Sequence, residues 1–248
     1  ILMKVKNIKS FIEFYESLGV STFITPYSRN SRKINEKVKC LFKTEDDFED
    51  TKDLNNKSYQ LELLKKQITE SNCNLKDIAT NLVFSEGNYD SKIMLIGEAP
   101  GAEEDRIGKP FVGQAGKLLD EMLQLISLNR NKNVYLTNII FWRPPGNRTP
   151  NSEEVKICLP FVQKHIDIID PELIIVLGNV ASKALLNKTD GITKLRTQEH
   201  FYINTKNAKI PLKAIFHPAY LLRNPSEKKK TWDDLKNIYD YILNRNLL

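Results

Sequence analysis

Three side chains in this sequence have the type and the setting to act on a flat, polar ring: Phe111, Asn138 and His217. Phe111 lies between Pro110 and Val112 in a stretch, Gly97 to Gly116, that reads GEAPGAEEDRIGKPFVGQAG. An aromatic face there could stack on a planar ligand; a lone Phe is also a common core residue. Asn138 interrupts the apolar run from Val134 to Ile140, and Asn disfavours strands. Its amide could read the donor and acceptor edge of a base, or could cap a neighbouring loop. His217 follows an apolar run and precedes a proline. A held imidazole can donate a hydrogen bond to an oxygen on which negative charge develops; a lone His is as often structural. His165 and His200 lack such a setting, and no pair of histidines has zinc spacing.

Other chemistries are excluded. The glycine-rich stretch holds no G-x-G-x-x-G, and Gly116-Lys117 is followed by Leu118 where a P-loop needs Ser or Thr. No apolar run approaches the roughly 20 residues of a bilayer span. Cys40, Cys73 and Cys158 make no disulfide framework, which fits a reducing, cytoplasmic setting, nucleoid-associated in a bacterium. The net charge of +6 is compatible with nucleic acid without requiring it.

The elements that must position these residues follow from periodicity. Short apolar runs at Lys92–Gly97, Val134–Ile140, Leu173–Leu177 and Leu212–Phe216 alternate with amphipathic patterns near 114–127, 152–169, 179–188 and 227–244. Such alternation predicts a parallel sheet between helix layers. Ligands then bind where loops leave the carboxyl ends of the strands. Four such loops carry Glu98 and Phe111, Asn138, Gly178-Asn179, and His217. Upstream, residues 4–19 and 58–70 have helical spacing, and residues 26–57 are mostly polar with an acidic run at 45–50. Residues 1–65 are therefore read as a helical and linker extension, and residues 66–248 as the main domain.

GEAPG-x-x-ED-x-x-G-x-PFVG-x-AG-x-LL, TN-x-x-x-x-RPP-x-NR-x-P and HPAYLLR-x-P, in that order, resemble family 4 of the uracil-DNA glycosylases. The resemblance covers residues 70 to 245 and implies a three-layer α/β/α sandwich on a four-stranded parallel sheet. It implies hydrolysis of the N-glycosidic bond of uracil in DNA, the first step of base excision repair, on a base taken out of the stack. Phe111 would stack on the uracil, Asn138 would bond its polar edge, and His217 would donate to O2 as charge builds there. Glu98, Ala99 and Gly101 would line the pocket. Ala99 stands where related families place a water-handling Asp, with Glu104 and Asp105 as candidates to replace it. Arg143, Arg148, Arg223 and Lys228 to Lys230 would contact phosphates, and Tyr220, Leu221 and Leu222 would enter the duplex.

The resemblance also implies four cysteines holding a [4Fe-4S] cluster, but this chain has Glu70, Cys73, Trp142 and Cys158 in those places. A cubane wants four thiolates or close substitutes, so loss of the cluster is expected, with the Trp142 indole in its volume and Glu70 turned outward. The expected partner is uracil-containing DNA, with no membrane, a monomeric chain and a separate partner for the extension. Two rival readings remain: a catalytically weakened relative that binds DNA or a partner, and a small-molecule nucleotide enzyme, disfavoured by the absence of a phosphate loop.

Overall fold

In the middle of the fold stand four strands, β2 (Ile93–Gly97), β3 (Tyr135–Asn138), β4 (Leu173–Leu177) and β6 (Lys209–Ile215), of which β2 and β4 are apolar and buried throughout. They were traced in a computed structural model, which describes residues 56–248. The sheet order is β1-β3-β2-β4-β6-β5, with β1 spanning Glu86–Gly87 and β5 spanning His200–Ile203. β3, β2, β4 and β6 are parallel, while β1 and β5 pair antiparallel at the two edges. The four expected strands are thus all parallel neighbours, but the sheet has six strands rather than four. β1 is only two residues long, too short for a period-2 pattern, and β5 lies among polar turn residues.

Both faces of the sheet are buried, which is why its strands read as continuous apolar runs rather than alternating ones. Met94, Ile96, Ile174, Val176 and Leu212 face one core with helices α1 (Lys57–Thr69), α4 (Ser152–Ile169) and α5 (Gly178–Leu186). Ile93, Leu95, Leu136, Ile175 and Leu177 face the other, with α3 (Gln114–Gln124) and α8 (Lys228–Arg245). Each fully buried Leu or Ile contributes about 1.5–3 kcal/mol, so these two cores dominate the stability of the unit. The result is a three-layer α/β/α arrangement, as expected. The described residues belong to one compact unit, so α1 packs with it through Leu61, Leu64 and Ile68. The expected helix at 4–19 and all but the last two residues of the polar stretch at 26–57 lie outside the described residues.

Local signals start and stop the elements. Asn151 caps α4: its side chain accepts from the Glu154 amide at 2.8 Å, and the Glu154 carboxylate accepts from the Asn151 amide at 2.9 Å. Two short helices interrupt loops that the sequence left irregular. They are α2 (Ala102–Ile107) inside the glycine-rich stretch and α7 (Pro218–Arg223) after β6; α6 spans Ile192–Leu195.

Candidate active site

Strand pairing brings the first two site residues together. β2 and β3 run with Gly97 opposite Asn138. A methyl group on Gly97 would overlap both the Asn138 amide oxygen and the tip of the Phe111 ring, so the three residues share one spot only because position 97 has no side chain. The His217 ring lies 6.1 Å from that of Phe111, centroid to centroid, with planes inclined by 33°. Gly178, where the chain leaves β4, has φ +88°, and a Cβ there would stand 2.9 Å from the Cβ of His217. Phe111, Asn138, Gly178 and His217 line a cleft of about 450 Å³ together with Glu98, Ala99, Gly101 and Arg223. Phe111, Asn138 and His217, 106 positions apart at the extremes (217 − 111), therefore meet at the carboxyl edge of the sheet.

The polar groups there are poised for a ligand. Asn138 is buried, and its amide oxygen has no hydrogen-bond partner in the protein, an expensive state unless a ligand supplies a donor. His217 is the N-cap of α7, and its Nδ1 accepts from the Ala219 amide at 3.1 Å. With Nδ1 an acceptor, a neutral ring carries its proton on Nε2, leaving that N–H free to donate. Burial, then the charge of Arg223, lowers the imidazole to about 4, so it is neutral at pH 7. Burial raises the Glu98 carboxyl, and the nearby Arg223 partly offsets it.

Phe111 sits at φ +55°, a conformation that a bulky L-residue adopts at a cost of about 1–3 kcal/mol. Glu104 holds the loop beyond it, its Oε1 accepting from the Val112 and Gly113 amides at 2.9 and 2.8 Å, its Oε2 from Gly101 at 3.1 Å. Asp105 is buried and accepts from the Thr80 and Asn81 amides at 2.9 and 3.0 Å. Both carboxylates considered as water-handling groups are thus spent on backbone, Glu104 on Gly101 at the start of α2 and on Val112 and Gly113 before α3, Asp105 on the segment ahead of β1. Sequence reasoning put Gly178 on a loop at this edge without its contact to His217, and it missed the roles of Gly97 and Arg130. The two glycines leave only the signal that a glycine ends or follows a strand. Arg130, in the turn before β3, leaves none.

The residues expected to face a duplex divide. Arg223, Leu222 and Lys228 are exposed, and Arg223 lines the cleft. Tyr220 is half-buried and stacks on Phe216, with ring centroids 5.1 Å apart. Leu221 is 1% exposed and belongs to the core under α3 and α8, so it is not available for insertion; the unforeseen helix α7 turns it inward. Arg148 lines the cleft, but its guanidinium is paired with the buried Glu154 at 2.6 Å. Arg143 donates to the Asn147 amide oxygen.

Cys73, Trp142 and Cys158 share one apolar cluster, with Trp142 only 3% exposed, while Glu70 is exposed. The Cys158 thiol beside it lowers Cys73 to about 7, and the same contact with burial raises Cys158. No group of three or more His, Cys, Asp or Glu side chains among the described residues could hold a metal ion. Two thiols, a buried indole and an exposed carboxylate do not fit a four-iron cubane.

The sequence profile of the uracil DNA glycosylase superfamily matches residues 84–236. A Type-4 uracil-DNA glycosylase from Sulfurisphaera tokodaii is 38% identical over 184 residues, covering 72% of this chain and 83% of that protein. Proteins of the same description from Thermotoga maritima and Archaeoglobus fulgidus are 43% identical over 157 residues and 40% identical over 169 residues. They cover 63% and 67% of this chain, and 79% and 84% of those proteins.

Proposed function

The chain belongs to the uracil-DNA glycosylase superfamily, and from that membership we propose that it hydrolyses the N-glycosidic bond of uracil in DNA. One observation carries the reading: Asn138, its buried amide oxygen without a partner, lies against Phe111 over the bare backbone of Gly97. An oxygen acceptor beside an aromatic face is what the N3–H edge of a stacked uracil requires. The base must leave the duplex to reach it. Phe111 stacks on the ring, and the Asn138 amide pairs with its polar edge. The Nε2–H of neutral His217 donates to O2 as the bond to the sugar breaks and charge gathers on the base.

Loss of the base leaves cationic character on the sugar, and water adds to it. With Glu104 and Asp105 bound to backbone, Glu98 is the carboxyl lining the cleft that has no backbone role. We assign it to the water or to the sugar cation, in place of an acid at Ala99. No step passes through a metal. We further propose that the chain carries no iron–sulfur cluster, because the four expected ligand places hold only two thiols, the other two being a buried Trp142 in the same apolar cluster and an exposed Glu70. Purified protein should lack broad visible absorption, and stoichiometric iron and sulfide in anaerobic preparations would contradict this.

The decisive experiment is release of free uracil from a single-stranded uracil-containing oligonucleotide. Wild type should release it in single turnover. His217→Ala should do so on the order of 100- to 1000-fold more slowly with DNA affinity nearly unchanged, since the lost bond strengthens in the transition state. A wild-type protein that binds this DNA but releases nothing would leave the weakened relative as the better reading.

A further inference from the structure

Arg130 lies outside the cleft, yet its guanidinium reaches the backbone on both sides of Phe111. It donates to the Phe111 carbonyl at 2.8 Å and to the Pro110 carbonyl at 3.3 Å. Those two carbonyls belong to the peptide planes that flank Phe111, and the planes define its φ and ψ. The remaining donors anchor the guanidinium itself, to Asp120 of α3 at 2.8 Å and to Glu86 of β1 at 2.8 Å. The side chain is 12% exposed, so these bonds are largely shielded from solvent. On the far side, the amide of the same peptide as the Phe111 carbonyl donates to Glu104. Gly116 completes the grip: any side chain there would overlap the Phe111 carbonyl.

We propose that Arg130 is a positioning residue for uracil excision: one guanidinium, fixed to β1 and α3, holds Phe111 in the left-handed conformation that presents its ring to the base. The inference rests on reading the cleft as a uracil site. Relaxing Phe111 to ordinary backbone angles requires rotating peptide planes that Arg130 and Glu104 hold. A relaxed loop would move the ring off Asn138 and Gly97, against which it now packs. Lysine cannot substitute, because a single ammonium lacks the planar fork that serves two carbonyls and two carboxylates at once. Lysine would still keep a positive charge beside Glu86 and Asp120, which limits the effect of the change on folding.

A double-mutant cycle between positions 130 and 111 tests this. Single-turnover excision from a single-stranded uracil-containing oligonucleotide is measured for wild type, Arg130→Lys, Phe111→Ala and the double variant, with thermal midpoints alongside. In the wild-type background, Arg130→Lys should lower kcat/KM by about 10- to 100-fold, the scale expected of a small misplacement. In the Phe111→Ala background, where there is no ring to place, the same change should cost less than about threefold on that scale. Equal losses in the two backgrounds would overturn the proposal, as would a folded Arg130→Lys enzyme of wild-type rate. Arg130→Gln serves as the second variant. If neither folds while Phe111→Ala does, Arg130 is a folding residue and the positioning role is wrong. Failure of wild type to release uracil would instead sink the reading of the cleft.

Discussion

At the scale of single residues, two histidines are forced neutral for different ends. His217 gains a hydrogen bond as Nδ1 caps α7, and its Nε2–H is left for a ligand. His165 gains nothing: it is fully buried among Phe84, Tyr135 and Phe141, and neither ring nitrogen has a partner. Burial lowers its imidazole to about 3. Its folded value therefore lies below the unfolded value of about 6.5. Between the two the unfolded chain binds the extra proton, so this stability is complete above about 6.5 and is lost as pH falls toward 3. His165→Leu should leave the thermal midpoint at pH 7 unchanged or higher, since it removes two unsatisfied polar atoms. It should also flatten the decline in midpoint between pH 6.5 and 4. A variant that is less stable at pH 7 and equally acid-sensitive would contradict this. His217, lowered to about 4, contributes a decline of the same sign that remains in the variant.

At the scale of elements, the parallel strands are legible as short continuous apolar runs and the long helices by their 3.6-residue apolar periodicity. The helix at 152–169 was read to the residue, and strands β2, β3, β4 and β6 to within a few positions. Phe111, Asn138 and His217 were legible as a site because the parallel topology fixes where strand ends point. What the sequence could not show depends on tertiary contact. β1 has no pattern of its own, and α7 is set by the His217 cap and Pro218. The duties of Glu104 and Asp105 are decided by whichever amides lie nearby. The role of Gly97 is of this kind as well, since only the folded register puts Asn138 across from it. Gly97→Ala should displace the Asn138 amide or the Phe111 ring and lower excision by about 100-fold or more, the cost of roughly 1 Å of misplacement. Gly178→Ala, strained at φ +88° and close to His217, should mimic a His217 defect. Retention of full single-turnover rate in both folded variants would show that the cleft adapts more readily than its packing implies.

For the molecule as a whole, the cations near the cleft serve two purposes that salt and heat separate. Arg223, Lys228 and Lys229 are exposed, whereas Arg148 neutralises the buried Glu154, whose carboxyl it holds below the usual range. Affinity for uracil-containing DNA should fall steeply as salt rises, and Arg223→Ala should reduce the slope of log affinity against log salt by about one. Arg148→Ala should mainly lower the thermal midpoint, because it strands a buried carboxylate. An unchanged salt slope for Arg223→Ala would remove that residue from the phosphate contacts. The sheet order has one more consequence. β4 lies between β2 and β6, so the loop carrying His217 reaches Phe111 only after the last central strand has paired. The cleft is thus complete only when β6 is in its place in the sheet. Contacts so distant in sequence close slowly and cannot form on a ribosome that has yet to deliver residue 217. In refolding from denaturant, burial of Trp142 should precede the return of uracil release, and simultaneous recovery would argue that the sheet closes in a single step.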